Sequence, residues 1–126
     1  LALFKDCSQQ CLKELAGAMK QMYFGPGQTV INIGEVGEEM YIIGHGIVEV
    51  ILKDGSQVAT LHEGQFFGEA ALIRETMRNA NVRAQNYCDL YKLDKSSFLD
   101  IVKKHPEVLE NIERVSMKRT GDRRKS

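Results

Sequence analysis

From Tyr23 to about Leu93 the chain runs in short stretches rich in Val, Ile, Phe and Tyr, and glycine breaks them repeatedly. Gly25-Pro26-Gly27, Gly34, Gly37, Gly44, Gly46, Asp54-Gly55, Gly64 and Gly68 punctuate "TVINI", "MYII", "IVEVIL" and "QVATL", with "NVRA" and "DLYKL" following. Such runs are too short for helices, and no single one can bury a core. Short strands at regular spacing with turn signals between them imply an antiparallel sandwich or roll. Within "ILKDGSQVATL" the Asp54-Gly55 pair marks the tip of a hairpin, because these residues tolerate the positive backbone angles of a tight turn.

Helical periodicity flanks this region on both sides. From Ser8 to Met22 the residues Cys11, Leu12, Leu15, Ala16, Met19 and Met22 recur at three- and four-residue spacing, with Ser8 as the expected N-cap. From Lys95 onward Phe98, Leu99, Ile101 and Val102 predict a short helix that ends before His105-Pro106, since the residue preceding proline avoids helical geometry. Pro106 then opens a last helix with Val108, Leu109, Ile112, Val115 and Arg119 along one side, and Gly121 is its expected stop. The expected layout is α+β: an N-terminal helical segment (1–22), an antiparallel, jelly-roll-like β-roll (23–94), C-terminal helices (95–120) and a basic tail (121–126). At 126 residues and 43% hydrophobic composition this is one domain, with no room for a second.

Lys+Arg 17 against Asp+Glu 17 gives zero formal charge, so the overall balance calls for neither nucleic acid nor an anionic membrane surface. Cys7, Cys11 and Cys88 form no C-x-x-C pair, which argues against a disulfide framework and a zinc site and for reduced thiols packed as small hydrophobes. No apolar run approaches the ~20 residues of a membrane-spanning helix, and no signal-peptide pattern opens the chain. The chain begins at Leu1 without an initiator methionine and is therefore read as a piece of a longer protein, whose parent could still be a membrane protein.

The β pattern lapses between Phe67 and Met77, inside "FGEAALIRETMRNANV". There "EAALI" is a poor strand and a good single helical turn, with Gly68 ahead of it supplying backbone freedom. A helix start presents unpaired N–H groups to an anion, and Ala70 and Ala71 let a ligand approach them. The planar guanidinium of Arg78 matches a phosphate, while Glu69 accepts hydroxyl hydrogen bonds, so a sugar phosphate would satisfy both. A surface salt bridge between Glu69 and Arg78 is the alternative on spacing alone.

The stretch "FGEAALIRETMRNANVRA" resembles the phosphate-binding cassette of cyclic nucleotide-binding domains, F-G-E, small or apolar residues, a variable loop, then R-x-A-x-V. The match falls on Phe67, Gly68, Glu69, Ala70, Ala71, Leu72, Arg78, Ala80 and Val82, and the order of elements around it is similar nearly end to end. The resemblance implies that Glu69 accepts the ribose 2′-hydroxyl and Arg78 pairs with the cyclic phosphate, with the N–H groups of Ala70 and Ala71 on its oxygens and Gly68 allowing the approach. It further implies base contacts from Val50 and Leu61, whose other reading is plain core, and from Arg119 and Asp122 on a closing lid helix, whose other reading is a solvated helix end.

Asn79 departs from the family pattern, in which cyclic GMP-preferring members carry threonine and cyclic AMP-preferring kinase subunits alanine. Its side-chain oxygen can receive the guanine amino group or the side chain can point at the phosphate, and the choice falls on cyclic GMP ahead of cyclic AMP.

The stretch "NYCDLYKLDKSSFLDIVKKHPEVLENI" is similar to the corresponding part of cyclic nucleotide-gated and hyperpolarisation-activated channels. This implies a cytoplasmic domain of a plasma-membrane ion channel of the potassium-channel type, preceded by linker and transmembrane regions. The isolated domain would be monomeric and the parent tetrameric. The ligand would be cyclic GMP or cyclic AMP, with no other cofactor, and inward movement of the lid helix would transmit occupancy. A kinase regulatory subunit or a transcription factor is the alternative setting.

An enzyme is not expected. Ser56, Ser96 and Ser97 sit in turn or helix-start contexts rather than beside a base, and a cupin-like metal centre would need clustered histidines. His45, His62 and His105 are scattered, so no metal site is expected.

Overall fold

A computed structural model describes the backbone of residues 2–125 and the side chains of residues 3–119. After a short 3-10 turn, Ala2–Phe4, the chain forms α1 (Gln9–Ala18), β1 (Lys20–Phe24), β2 (Thr29–Ile31), β3 (Glu39–His45), β4 (Val48–Ile51) and β5 (Gln57–Leu61). Then come β6 (Phe66–Phe67), α2 (Ala70–Ile73), β7 (Asn81–Ala84), β8 (Cys88–Asp94), α3 (Lys95–Lys104) and α4 (Glu107–Lys125).

The strands make two four-stranded antiparallel sheets, ordered β1-β8-β3-β6 and β2-β7-β4-β5. This is the antiparallel roll, with its N-terminal helix and C-terminal helices, that the glycine punctuation implies. The hairpin sits where Asp54-Gly55 places it: β4 pairs with β5 from Val48↔Leu61 to Ile51↔Gln57, and Gly55 turns the chain at φ 89°.

The run "MYII" is apolar throughout because β3 is covered on both faces. Met40 and Ile42 face a core shared with Leu15, Phe98 and Ile112 of the helices, while Tyr41 and Ile43 face the roll interior with Val48 and Leu90. The helical layer is thereby fastened to the sheet that carries the roll.

Two boundaries differ from the sequence expectation. Ser8 caps α1 as expected, its Oγ accepting from the Cys11 N–H at 3.1 Å, but the helix stops at Ala18 and Lys20–Phe24 is a strand. Met19 and Met22 fit a helical stripe, yet Met22 and Phe24 also alternate with exposed Gln21 and Tyr23, and pairing with β8 decides for the alternation. At the other end α4 runs through the expected stop at Gly121 to Lys125. A glycine inside a helix costs only ~1 kcal/mol relative to alanine, and no proline follows it. Asp122 has its side chain outside the described residues.

Candidate functional site

The expected helical turn is present as α2, immediately after β6. Gly68 joins them at φ 81°, and a Cβ there would stand 2.9 Å from Arg78 Nη1 and 3.2 Å from the Glu39 carbonyl oxygen. Glycine is needed here both for the backbone angle and for the room. The loop after α2 returns along residues 34–37: the Arg78 N–H donates to Glu35 O at 2.7 Å, the Gly34 N–H to Arg78 O at 2.9 Å and the Gly37 N–H to Thr76 O at 3.0 Å. These bonds fix the backbone from which the arginine projects.

The guanidinium of Arg78 is nearly buried, with 9% of the side chain exposed. It donates from Nη2 to the Glu39 carbonyl at 2.6 Å and to Glu39 Oε1 at 3.2 Å, and from Nη1 to the Gly68 carbonyl at 3.3 Å. Gly37 lies against its back, since a Cβ there would fall 3.0 Å from Arg78 Cζ and 2.6 Å from the Ala71 methyl. The fork is held in place by the roll, and its remaining N–H groups can serve an anion.

Glu69 does not pair with Arg78, so the surface salt bridge that spacing allowed is not formed. The carboxylate is 7% exposed and accepts from Arg119 Nη1 at 2.5 Å through Oε1. Arg119 also donates to the Phe66 carbonyl at 2.9 Å, and its Cζ stands 4.0 Å over the Phe66 ring. The solvated helix end that was the other reading of Arg119 is thus replaced by an anchored one. A second tie lies beside it, Arg74 Nη2 to Ser116 Oγ at 3.3 Å. Both ties carry α4 onto the segment around α2.

An open cavity of about 690 Å³ lies between α2, the second sheet and α4, within the usual size range for a small-molecule site. Gly68, Glu69, Ala70, Arg78, Asn79, Val50, Leu61 and Arg119 all line it. Ala71 does not: its methyl is buried and its N–H donates to the Gly68 carbonyl at 3.3 Å. Three arginines, Arg74, Arg78 and Arg119, line the cavity against one lining acid, Glu69, with Glu39 behind Arg78, which leaves one more cation than anion and favours an anion. The opposite wall is apolar. Val58 of β5 and Met77 of the loop before Arg78, both lining the cavity, are 51% and 62% exposed, so part of its apolar lining faces solvent and can receive a flat ring. None of the three histidines lines the cavity, which leaves a cupin-like centre without ligands there.

Residues that sequence reasoning missed are Glu39, Gly37, Arg74, Ser116 and Met77. A signal existed for one of them: Glu39 is an acid at the mouth of an otherwise apolar strand, a position that calls for a partner. The Arg74–Ser116 tie depends on how α4 docks and leaves no trace in local pattern. Close to the site, burial pushes the Tyr41 phenol up to about 12, with the neighbouring Glu39 carboxylate acting in the same direction.

Comparison with known proteins agrees with this geometry. The family model described as "Cyclic nucleotide-binding domain" matches residues 21–105. The chain is 33% identical over 119 residues, 94% of its length, to mouse potassium/sodium hyperpolarization-activated cyclic nucleotide-gated channel 2, of which it spans 14%. Among solved structures, the C-linker/CNBHD of zELK channels, crystallized in the presence of cAMP, superposes with a TM-score of 0.79 at 31% identity, over 89% of this chain and 58% of that one. The Thermus thermophilus catabolite activator protein superposes with a TM-score of 0.87 over 97% of this chain and 59% of that one, and at 21% identity it speaks for the fold. Among the described residues no helix is long and apolar enough to cross a membrane. With the cassette, the roll and the family model in agreement, the chain belongs to the cyclic nucleotide-binding domain family.

Proposed function

We propose that the cavity binds a cyclic nucleoside monophosphate without turning it over, and that α4 passes the state of the site to an attached effector. One observation carries this reading: the buried carboxylate and roll-clamped arginine of the cassette line one cavity of suitable size together with apolar residues of β4 and β5, distant in sequence. The phosphate sits against Arg78 and the start of α2, where Gly68 leaves room and the Ala70 amide faces it; the Ala71 amide, expected there from the resemblance, is given to the Gly68 carbonyl instead. The ribose hydroxyl meets Glu69 Oε2, because Oε1 is taken by Arg119. The base lies along Val50 and Leu61.

Asn79 is exposed at the rim and has both a donor and an acceptor for the base edge, which favours cyclic GMP ahead of cyclic AMP. The effector is an ion channel, with linker and transmembrane regions ahead of residue 1 and four copies in the assembly, which the 33% identity to a channel supports. A transcription regulator is the second reading; the likeness to the catabolite activator protein is one of fold alone.

Calorimetric titration with cyclic GMP and cyclic AMP tests the first claim. Arg78→Ala should weaken binding by ~1.5–3 kcal/mol, the value of a charge-assisted contact. Asn79→Thr should keep and Asn79→Ala should reverse the order of the two nucleotides. Failure of both to bind the unaltered chain would overturn the proposal.

A further inference from the structure

A second cluster of reactive side chains lies away from the cavity, where the start of α1 meets the joint between α3 and α4. Cys11 is completely buried in the first turn of α1, and Cys7 just ahead of the N-cap hydrogen-bonds with it. His105 and Glu107 flank Pro106 at the joint. Cys11 Sγ, a His105 ring nitrogen and a Glu107 carboxylate oxygen all lie within 4.8 Å of one another. The imidazole is oriented from behind: Nε2 is 2.5 Å from Glu14 Oε2, while Nδ1 faces Glu107 Oε1 at 3.7 Å. A carboxylate on one ring nitrogen with the other turned toward thiol and carboxylate donors is the arrangement of a metal-ligating histidine.

We propose that Cys11, His105 and Glu107 bind a thiophilic divalent cation, zinc by the chemistry of the set, with Cys7, outside the close group but hydrogen-bonded to Cys11, moving in as fourth donor on binding. Two sulfurs, one imidazole and one carboxylate match its tetrahedral preference. With bonds of about 2.0–2.3 Å the donor atoms of such a site stand roughly 3.3–3.8 Å apart, so the cluster closes by ~1 Å on binding. The cysteine spacing does not reveal this set because its members come from opposite ends of the chain. A cation here would staple α1 to the joint from which α4 departs.

The test uses the full chain, reduced with a phosphine, stripped with a chelator and titrated with zinc(II) in competition with a chromophoric chelator, and separately with cobalt(II). One zinc per chain is expected, together with a sulfur-to-cobalt charge-transfer band and a zinc-dependent rise in Tm. Cys11→Ser and His105→Ala should each weaken binding at least ~10-fold, and Glu14→Gln by about 10–100-fold, the effect of removing an outer-shell partner. Cys88→Ser should change nothing. Because the buried Cys11 variant could fail to fold, Glu107→Ala at a half-exposed position provides a second arm, in which the zinc-dependent Tm rise should vanish. Absence of the sulfur band, zinc binding unchanged in Glu107→Ala, or no competition with the chelator would overturn the site.

Discussion

Removing Arg119 tests whether α4 is fastened to the site or merely lies beside it. The side chain makes a 2.5 Å charge-assisted bond to Glu69, a 2.9 Å bond to the Phe66 carbonyl and a cation–π contact at 4.0 Å. A charge-assisted bond in a buried setting is worth ~1.5–3 kcal/mol. The arginine is 32% exposed, so solvent screening discounts this to ~1–2 kcal/mol. The carbonyl bond and the ring contact add ~0.5–1 kcal/mol each. Arg119→Ala should therefore cost ~2–4 kcal/mol, which for a domain of this size lowers Tm by roughly 6–16 °C. Urea denaturation of Arg119→Ala, Glu69→Gln and the double variant gives the coupling directly, expected at ~1–1.5 kcal/mol. A coupling under ~0.5 kcal/mol would refute the reasoning, because the pair would then be an ordinary surface contact.

Other consequences can be measured on the same material. Gly37→Ala puts a Cβ 2.6 Å from the Ala71 methyl and 3.0 Å from Arg78 Cζ, so it should cost ~1–3 kcal/mol in denaturant and weaken nucleotide binding by ~10-fold or more as the guanidinium shifts. A 2′-deoxy cyclic nucleotide should bind about 10–100-fold more weakly than its ribo parent, since it leaves the buried Glu69 without the hydroxyl it would accept. Tyr41 is raised to about 12 by burial, so folding favours its neutral form. Its contribution is intact below about pH 10, the ordinary tyrosine value, and is lost as pH rises through about 12. An ultraviolet titration should show a late step that Tyr41→Phe removes.

What the sequence made legible is what is local in it. The cassette is a continuous segment, so glycine, acid, alanines and arginine could be read together, and the turn "EAALI" follows from propensity alone. The Asp54-Gly55 hairpin is equally local. Where two periods fit the same residues, the pattern could not choose. Met22 satisfies a helical stripe with Met19 and an alternating strand with Phe24 alike, and only the partner strand, with Met22 opposite Leu90, separates the two. The partners of the two central charges were not legible at all. Arg78 takes Glu39 and Glu69 takes Arg119, and both pairings depend on how β3 and α4 pack. Gly121 reads as a stop only where a helix has something to gain by ending, and there α4 continues.

These pairings divide the site into a fixed half and an adjustable one. Arg78 is held by Glu39, Gly68 and the turn at Gly37, all parts of the roll, so its position does not depend on α4. Glu69 is shared with Arg119 of α4, and Arg74 beside it is shared with Ser116 of the same helix. A ligand shifts an equilibrium only through interactions that differ between the two states. Under the proposed function, contacts between the phosphate and Arg78 would therefore supply affinity with little coupling, whatever their strength. Coupling would have to come from the ribose at Glu69 and from the base. Allosteric couplings are typically ~1–3 kcal/mol, and one partly buried ion pair rearranged at Glu69 is of that size. A hydroxyl placed at Glu69, as proposed, would thus be the part of the ligand best placed to move the helix.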